Sequence, residues 1–315
     1  MNKKSVSTLL ALTAVTTATL HILNKIQFSA KTLKGILNQS DCNYYEWRFG
    51  KIRYMKKGSG SPLLLIHDLT SGSSSFEFSR IYNELSTTNE VYAMDLLGYG
   101  LSDKPNMTYT NYLYVQLIVD FIKIVIGKKA NVVAVGDSCA AAVMACHNDP
   151  DVIKNIILIN PQSLSKLNLP PNHNTKLLKF MIDMPILGTF IYNMLTSKDN
   201  YRKLFREEYF YDNSAVTEDM IAAYAEASHI PDHNAKYSFS SYIGRYINAN
   251  IVHALKEIDH SIYILYGKGK NDIEGVTDIY LSYNSAIEKF GIDKASHLPH
   301  MENPDEVLKQ LEILL

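Results

Sequence analysis

Asn131-Val132-Val133-Ala134-Val135-Gly136-Asp137-Ser138-Cys139-Ala140-Ala141-Ala142 passes from a short apolar run into Gly-x-Ser-x-Ala and then into small residues. A buried strand that reverses sharply into a helix needs this order, because only short side chains let the two elements approach each other with a hydroxyl at the apex. Ser138 is the residue of the stretch with an evident chemical use. Its chemistry depends on partners supplied from elsewhere in the chain.

Outward from this segment, strands and helices alternate. Tyr44 to Arg48 and Lys51 to Met55 flank Phe49-Gly50 and read as two antiparallel strands; Pro62 to Ile66 is a continuous apolar run, as in a strand buried on both faces. A helix is expected over Phe76 to Leu85, a strand over Val91 to Met94, and an amphipathic helix over Thr110 to Ile126. Beyond Ser138 come a helix to about His147 and a strand at Ile156 to Ile159. Strand character returns at Ser261 to Gly267 and near Ala286 to Ile292, and a helix over Asp305 to Leu314 closes the chain behind Asn303-Pro304. The pattern predicts an α/β fold with a mostly parallel, doubly wound sheet. Between the strands, residues 162 to 255 form a helical cap; residues 41 to 161 and 256 to 315 form the core, and residues 1 to 40 a hydrophobic helix with its linker.

Composition narrows the function classes. The 315 residues carry 31 basic and 32 acidic side chains, which gives no bulk attraction for a polyanion, and no basic run is interleaved with aromatics. Nucleic acid is excluded as a partner. Three cysteines (Cys42, Cys139, Cys146) make neither a disulfide framework nor a metal knuckle, and His229 and His233 lack a carboxylate at ligand spacing. No metal and no cofactor are expected, since Gly98-Tyr99-Gly100 lacks the rest of a dinucleotide fingerprint. Near the start, Ser5 to Asn24 is an uncharged stretch between Lys4 and Lys25. Its length as a helix, roughly 30 Å, predicts membrane association through residues 5 to 24, with a cleaved signal and a secreted protein, or an ordinary helix lying on the domain, as the alternatives.

In a doubly wound sheet, binding groups gather at the carboxyl ends of the strands. A serine there needs a base and a group that orients the base. His297, just past the last expected strand, is the base, with His300 as a weaker choice. Asp272, in the loop after Gly267, is the acid that orients it, with Asp278, Asp293 or no carboxylate at all as alternatives. The backbone N–H groups of Leu69 and Cys139 are placed to form an oxyanion hole.

Taken in order, these segments resemble the α/β-hydrolase family, in the branch with a helical cap inserted after the sixth strand. Ile66-His67-Asp68 resembles its His-Gly loop, and Asp95 to Pro105 its Asp-x-x-Gly-x-Gly-x-Ser-x-x-Pro segment. Gly136 to Ala140 resembles the nucleophile elbow, Leu265 to Gly267 the strand before the acid loop, and Ser296 to Pro304 the Gly-His-x-Pro-His-x-Glu-x-Pro stretch. The resemblance implies Ser138 as nucleophile, His297 as base and Leu69 and Cys139 as oxyanion donors, in a serine hydrolase cleaving a small or acyl-chain ester. It also makes His67 a residue that shapes the backbone. Three positions depart from the family: Asp68 replaces glycine, Ala140 replaces the second glycine of the elbow, and Lys270 stands three residues after Gly267, where many relatives have the acid. Asp68 and the displaced acid motivate a second class, a non-catalytic member of the fold that binds a ligand or a protein.

Overall fold

The computed structural model describes residues 18–26, 35–37, 42–230 and 234–315. Eight strands form one sheet: β1 (Asn43–Trp47), β2 (Gly50–Lys57), β3 (Ser61–Ile66), β4 (Asn89–Met94), β5 (Ala130–Val135), β6 (Ile153–Ile159), β7 (Ile262–Gly267) and β8 (Glu288–Ile292). Their order is β1-β2-β4-β3-β5-β6-β7-β8. β1 pairs β2, and β2 pairs β4, antiparallel; every pairing from β4 to β8 is parallel.

The central strands lie where their apolar runs require. All six residues of β5 are buried, and successive side chains of a strand point to opposite faces. Thus Leu64 and Ile66 of β3 join Val132 and Ala134 in the core on one side, and Leu63 and Leu65 join Val133 and Val135 on the other. At roughly 1.5–3 kcal/mol for each aliphatic side chain removed from water, slipping β3 or β5 to an edge would cost far more than any single hydrogen bond returns.

The expected helix over Phe76 to Leu85 is divided into a 3-10 turn, Ser75–Phe78, and a short helix α1, Tyr82–Leu85. Ser75, Glu77 and Phe78 all turn inward, a demand that one face of a continuous α-helix does not meet. Helix α2 (Asn111–Phe121) continues as a π turn, Ile122–Ile126, and stops at Gly127 with φ 71°. Helix α3 (Ser138–Asn148) follows β5.

Between β6 and β7 the chain builds the cap from α4 (Leu164–Leu167), α5 (His173–Asp183), α6 (Leu187–Leu195), α7 (Lys198–Leu204), a π turn Phe205–Tyr209, α8 (Glu218–Ala227) and α9 (Ala235–Ile243), with α10 (Val252–Glu257) leading back. After β7 come α11 (Ile273–Tyr283), and after β8 α12 (Pro299–Glu302) and α13 (Pro304–Leu314).

The expectation of a membrane anchor is corrected here. No helix among the described residues is long and apolar enough to cross a membrane. Residues 18–26 are helical, and Asn24, 3% exposed, donates to Ile186 O at 3.2 Å and accepts from Asn193 Nδ2 at 2.9 Å. A polar residue sealed against α6 of the cap fits a helix docked on protein. The membrane association and membrane location expected from residues 5 to 24 therefore find no support in the fold, and residues 5 to 17 of that stretch lie outside the described residues.

Candidate functional site

The turn between β5 and α3 decides the site. Gly136 carries the positive φ there, 58°, while Asp137 has φ −71° and Ser138 is already the first residue of α3. The strained apex between strand and helix is thus a residue without a side chain. Ser138 Oγ turns back onto the strands: it donates to Val135 O at 2.8 Å, lies 3.4 Å from Ile66 O and accepts from Val135 N–H at 3.2 Å. Fully buried, this hydroxyl ties α3 to the end of β5.

Above Gly136 lies a carboxylate. A Cβ at Gly136 would stand 2.3 Å from Asp68 Oδ1, so the Asp68 side chain occupies the volume that an elbow side chain would need. Asp68 Oδ1 accepts from Leu69 N–H at 2.7 Å and from Asp137 N–H at 2.8 Å. Its other oxygen, Oδ2, is 3.1 Å from Nε2 of His297. Two main-chain donors converging from the β3 loop and the start of α3 are the arrangement that would hold a developing oxyanion. Here they hold a side chain of the protein itself.

Of the two N–H groups expected to form an oxyanion hole, that of Leu69 meets the Asp68 carboxylate and that of Cys139 does not. The second donor to the carboxylate is the N–H of Asp137, since Cys139 N–H donates at 3.3 Å to Gly136 O. Cys139 is 1% exposed with its thiol directed at Ala134 O, and burial pushes that thiol well above its ordinary range.

Neighbouring groups lock the Asp68 loop. His67 donates from Nδ1 to Asp68 O at 2.6 Å and accepts at Nε2 from Leu96 N–H at 3.0 Å, which fixes its tautomer and its shaping role. Asp68 N–H donates to Glu77 Oε2 at 3.0 Å, and Tyr224 of α8 donates to Glu77 Oε1 at 2.9 Å. Burial, reinforced by the charge of Asp68, raises the Glu77 carboxyl to about 8. Burial also works to raise Asp68, but His297 and the N–H donors outweigh it and hold Asp68 ionised, below the usual carboxylate range.

His297 is held as firmly. Its N–H donates to Tyr209 O at 2.9 Å, its O accepts from Asn160 Nδ2 at 2.8 Å, and its ring lies 4.5 Å from that of Tyr209. Burial lowers its basicity, Asp68 opposes this and Lys270 adds to it, so the ring is neutral at neutral pH. A neutral imidazole facing an ionised carboxylate carries its proton on Nε2 and donates. The nitrogen that would take a proton from a serine is thus already a donor to Asp68.

The other expected residues stand apart. Asp272 has φ 57°, precedes α11 and is exposed; among the described residues no hydrogen bond joins it to His297. His300 is fully buried against Phe78, with rings 5.3 Å apart and neither nitrogen hydrogen-bonded. Asp278 pairs with Lys289, and Asp293 pairs with Lys268 at 2.8 Å. Lys270 instead faces the site.

A cavity of about 540 Å³ lies between the carboxyl ends of the strands and the cap. His297, Asp137, Lys270 and Thr70 line it from the sheet side, and Tyr201, Tyr209, Phe239 and Tyr242 from the cap. Asp137 is buried, and burial together with the charge of Asp68 raises its carboxyl to about 6. The apex between strand and helix lies at Gly136, two residues before Ser138. Gly136, flanked at two residues on either side by Ala134 and Ser138, also satisfies the small-x-apex-x-small spacing, and reading it jointly with Asp68 would have exposed the exchange.

Comparison with known proteins agrees with this architecture. The chain is 34% identical over 107 residues to the 2-(acetamidomethylene)succinate hydrolase of Mesorhizobium japonicum, covering 33% of this chain and 37% of that protein. It is 25% identical over 131 residues to a haloalkane dehalogenase of Agrobacterium fabrum, covering 40% and 41%. The matched region thus spans well under half the length of these curated relatives. A solved epoxide hydrolase superposes with a TM-score of 0.69 at 17% identity, covering 86% of this chain and 96% of its own, a likeness of fold. The model of the alpha/beta hydrolase family matches residues 63–310, and the chain belongs to that family.

Proposed function

We propose that this member of the family is a small-molecule-binding protein that does not carry out serine acyl transfer. The observation that carries this reading is the Asp68 carboxylate, seated over Gly136 and bonded to the N–H groups of Leu69 and Asp137. A tetrahedral oxyanion would need both donors, and losing one such donor costs roughly 10²–10³ in kcat. It would also form beside a fixed negative charge. Lys270 supports the reading, since a cation at the acid position of many relatives disfavours the imidazolium on which general-base catalysis depends. The cavity under the cap supports a small ligand, and the relative in Mesorhizobium japonicum is named for a small-molecule substrate.

Covalent labelling with a fluorophosphonate probe tests this. The expected result is background labelling of the wild type, unchanged in Ser138→Ala and His297→Ala. Labelling of the wild type that disappears in Ser138→Ala would restore the serine-hydrolase reading.

A further inference from the structure

Three lysines line the cavity, and they are not equivalent. Lys203, at the rim, lies 3.8 Å from Glu207. Lys166 sits with its ammonium 5.8 Å from the ring centre of Tyr242. Lys270 is half-buried, and its ammonium takes part in no hydrogen bond or ion pair among the described residues. It feels Asp68 and Asp137 only at longer range, and burial lowers its basicity.

A partly desolvated cation without a bonded partner is costly unless something supplies the missing acceptor. Asp68 does not, because its oxygens are committed to Leu69, Asp137 and His297. The opposite wall is aromatic and apolar: Tyr209, Tyr242, Phe239 and Leu204. Few polar groups set against an apolar surface is the usual make-up of a site that orients an amphipathic small molecule.

We infer that the cavity receives a small organic anion with an aromatic or apolar body, its acid group drawn to Lys270 with Lys166 beside it. This rests on the non-hydrolytic reading above and names the ligand class of the same site. The charged and titratable groups facing that position are Asp68, Asp137, His297, Lys166, Lys270 and the Cys139 thiol, with Lys203, Glu207 and Glu208 at the rim and the hydroxyls of Tyr201, Tyr209 and Tyr242. Asp68 and Asp137 are the opposing charges, and Asp137, raised to about 6, is the one that changes protonation between pH 5.5 and 7.5. An anion at Lys270 favours the protonated form of Asp137, so binding takes up a proton and tightens as pH falls from 7.5 to 5.5.

The test is calorimetric titration of the full chain with 2-naphthoate and its neutral counterpart, 2-naphthamide. The expected result is binding of naphthoate at least about tenfold tighter than naphthamide. The preference is lost in Lys270→Met, retained in Lys270→Arg, and enlarged in Asp137→Asn with a flattened pH dependence. Equal affinity for the two probes, no binding of either at millimolar concentration, or a preference that survives Lys270→Met would each overturn the inference. Fluorophosphonate labelling reports separately on the non-hydrolytic reading: a labelled protein that still prefers naphthoate refutes that reading and leaves the anion site standing.

Discussion

Asp68 Oδ2 lies 3.1 Å from Nε2 of His297, while Asp68 Oδ1 accepts from the backbone N–H groups on either side of the site. The carboxylate thereby joins the end of β3, the start of α3 and the loop after β8 in one polar contact. It is 1% exposed, so its removal is felt by stability as well as by chemistry.

Asp68→Leu leaves the N–H groups of Leu69 and Asp137 buried without an acceptor. Each such group costs about 1–3 kcal/mol, and urea unfolding is expected to show a loss in the range of the two combined. Asp68→Asn retains an acceptor for both donors and is expected to lose about half as much or less. Equal losses in the two variants would refute the account of Asp68 as an acceptor.

Removing Asp68 and adding a nucleophile at the apex reverses the exchange. Asp68→Gly with Gly136→Ser frees both N–H donors and the His297 ring, and the doubly substituted protein is expected to gain fluorophosphonate labelling that the wild type lacks. Adding Lys270→Asp is expected to raise the labelling rate further. Gly136→Ser alone places a Cβ 2.3 Å from Asp68 Oδ1 and is expected to lower stability without gaining label.

Ser138→Ala removes a hydroxyl that bonds Val135 and Ile66. The expected effect is a loss of about 1 kcal/mol in chemical unfolding, typical of one intramolecular hydrogen bond, with naphthoate affinity unchanged. A variant as stable as wild type that no longer binds would contradict a structural role for this serine.

Asp272→Asn is expected to change stability by less than about 0.5 kcal/mol, as for surface substitutions away from special features. Asp272→Gly is expected to be neutral or stabilising, because glycine adopts φ 57° without strain. Loss of ligand binding in Asp272→Asn would show that this residue acts on the site.

Glu77 makes stability pH-dependent. Its folded-state carboxyl is raised from 4.5 to about 8, so between those values the folded chain holds a proton that the unfolded chain has released. Its contribution is fully present below pH 4.5 and is lost as pH rises to 8. Glu77→Gln removes this dependence. Relative to wild type it is expected to gain stability steadily across that interval, as read by urea midpoints at several pH values. Asp68, His297 and His300, all lowered, act in the opposite sense on the acid side, which is why the difference between the two proteins is the informative quantity.

The layered architecture was legible because it rests on local patterns. Pro62 to Ile66 and Asn131 to Val135 are too apolar to lie at an edge, and the two-residue alternation of Leu63, Leu64, Leu65 and Ile66 places each side chain on its face without reference to distant sequence. His67 was read correctly as a shaping residue for a similar reason, since it bonds the main chain beside it and at Leu96. The apex at Gly136 rather than Ser138 was not legible, because Gly-x-Ser-x-Ala fixes spacing but not register. A shift of two residues preserves both the small-residue pattern and the face of the strand.

The linear chain by itself determined which segments are strands, that a helical layer interrupts them after β6, and that His297 follows the last strand. Only the tertiary structure decided what His297 faces. Asp68 and Gly136 are 68 positions apart in the chain, and each is unremarkable alone: a carboxylate after a strand, a glycine in a turn. Their meaning comes from steric exclusion between β3 and β5, where the Asp68 side chain fits because Gly136 has none, and where two N–H groups make an ionised carboxylate stable in a buried place.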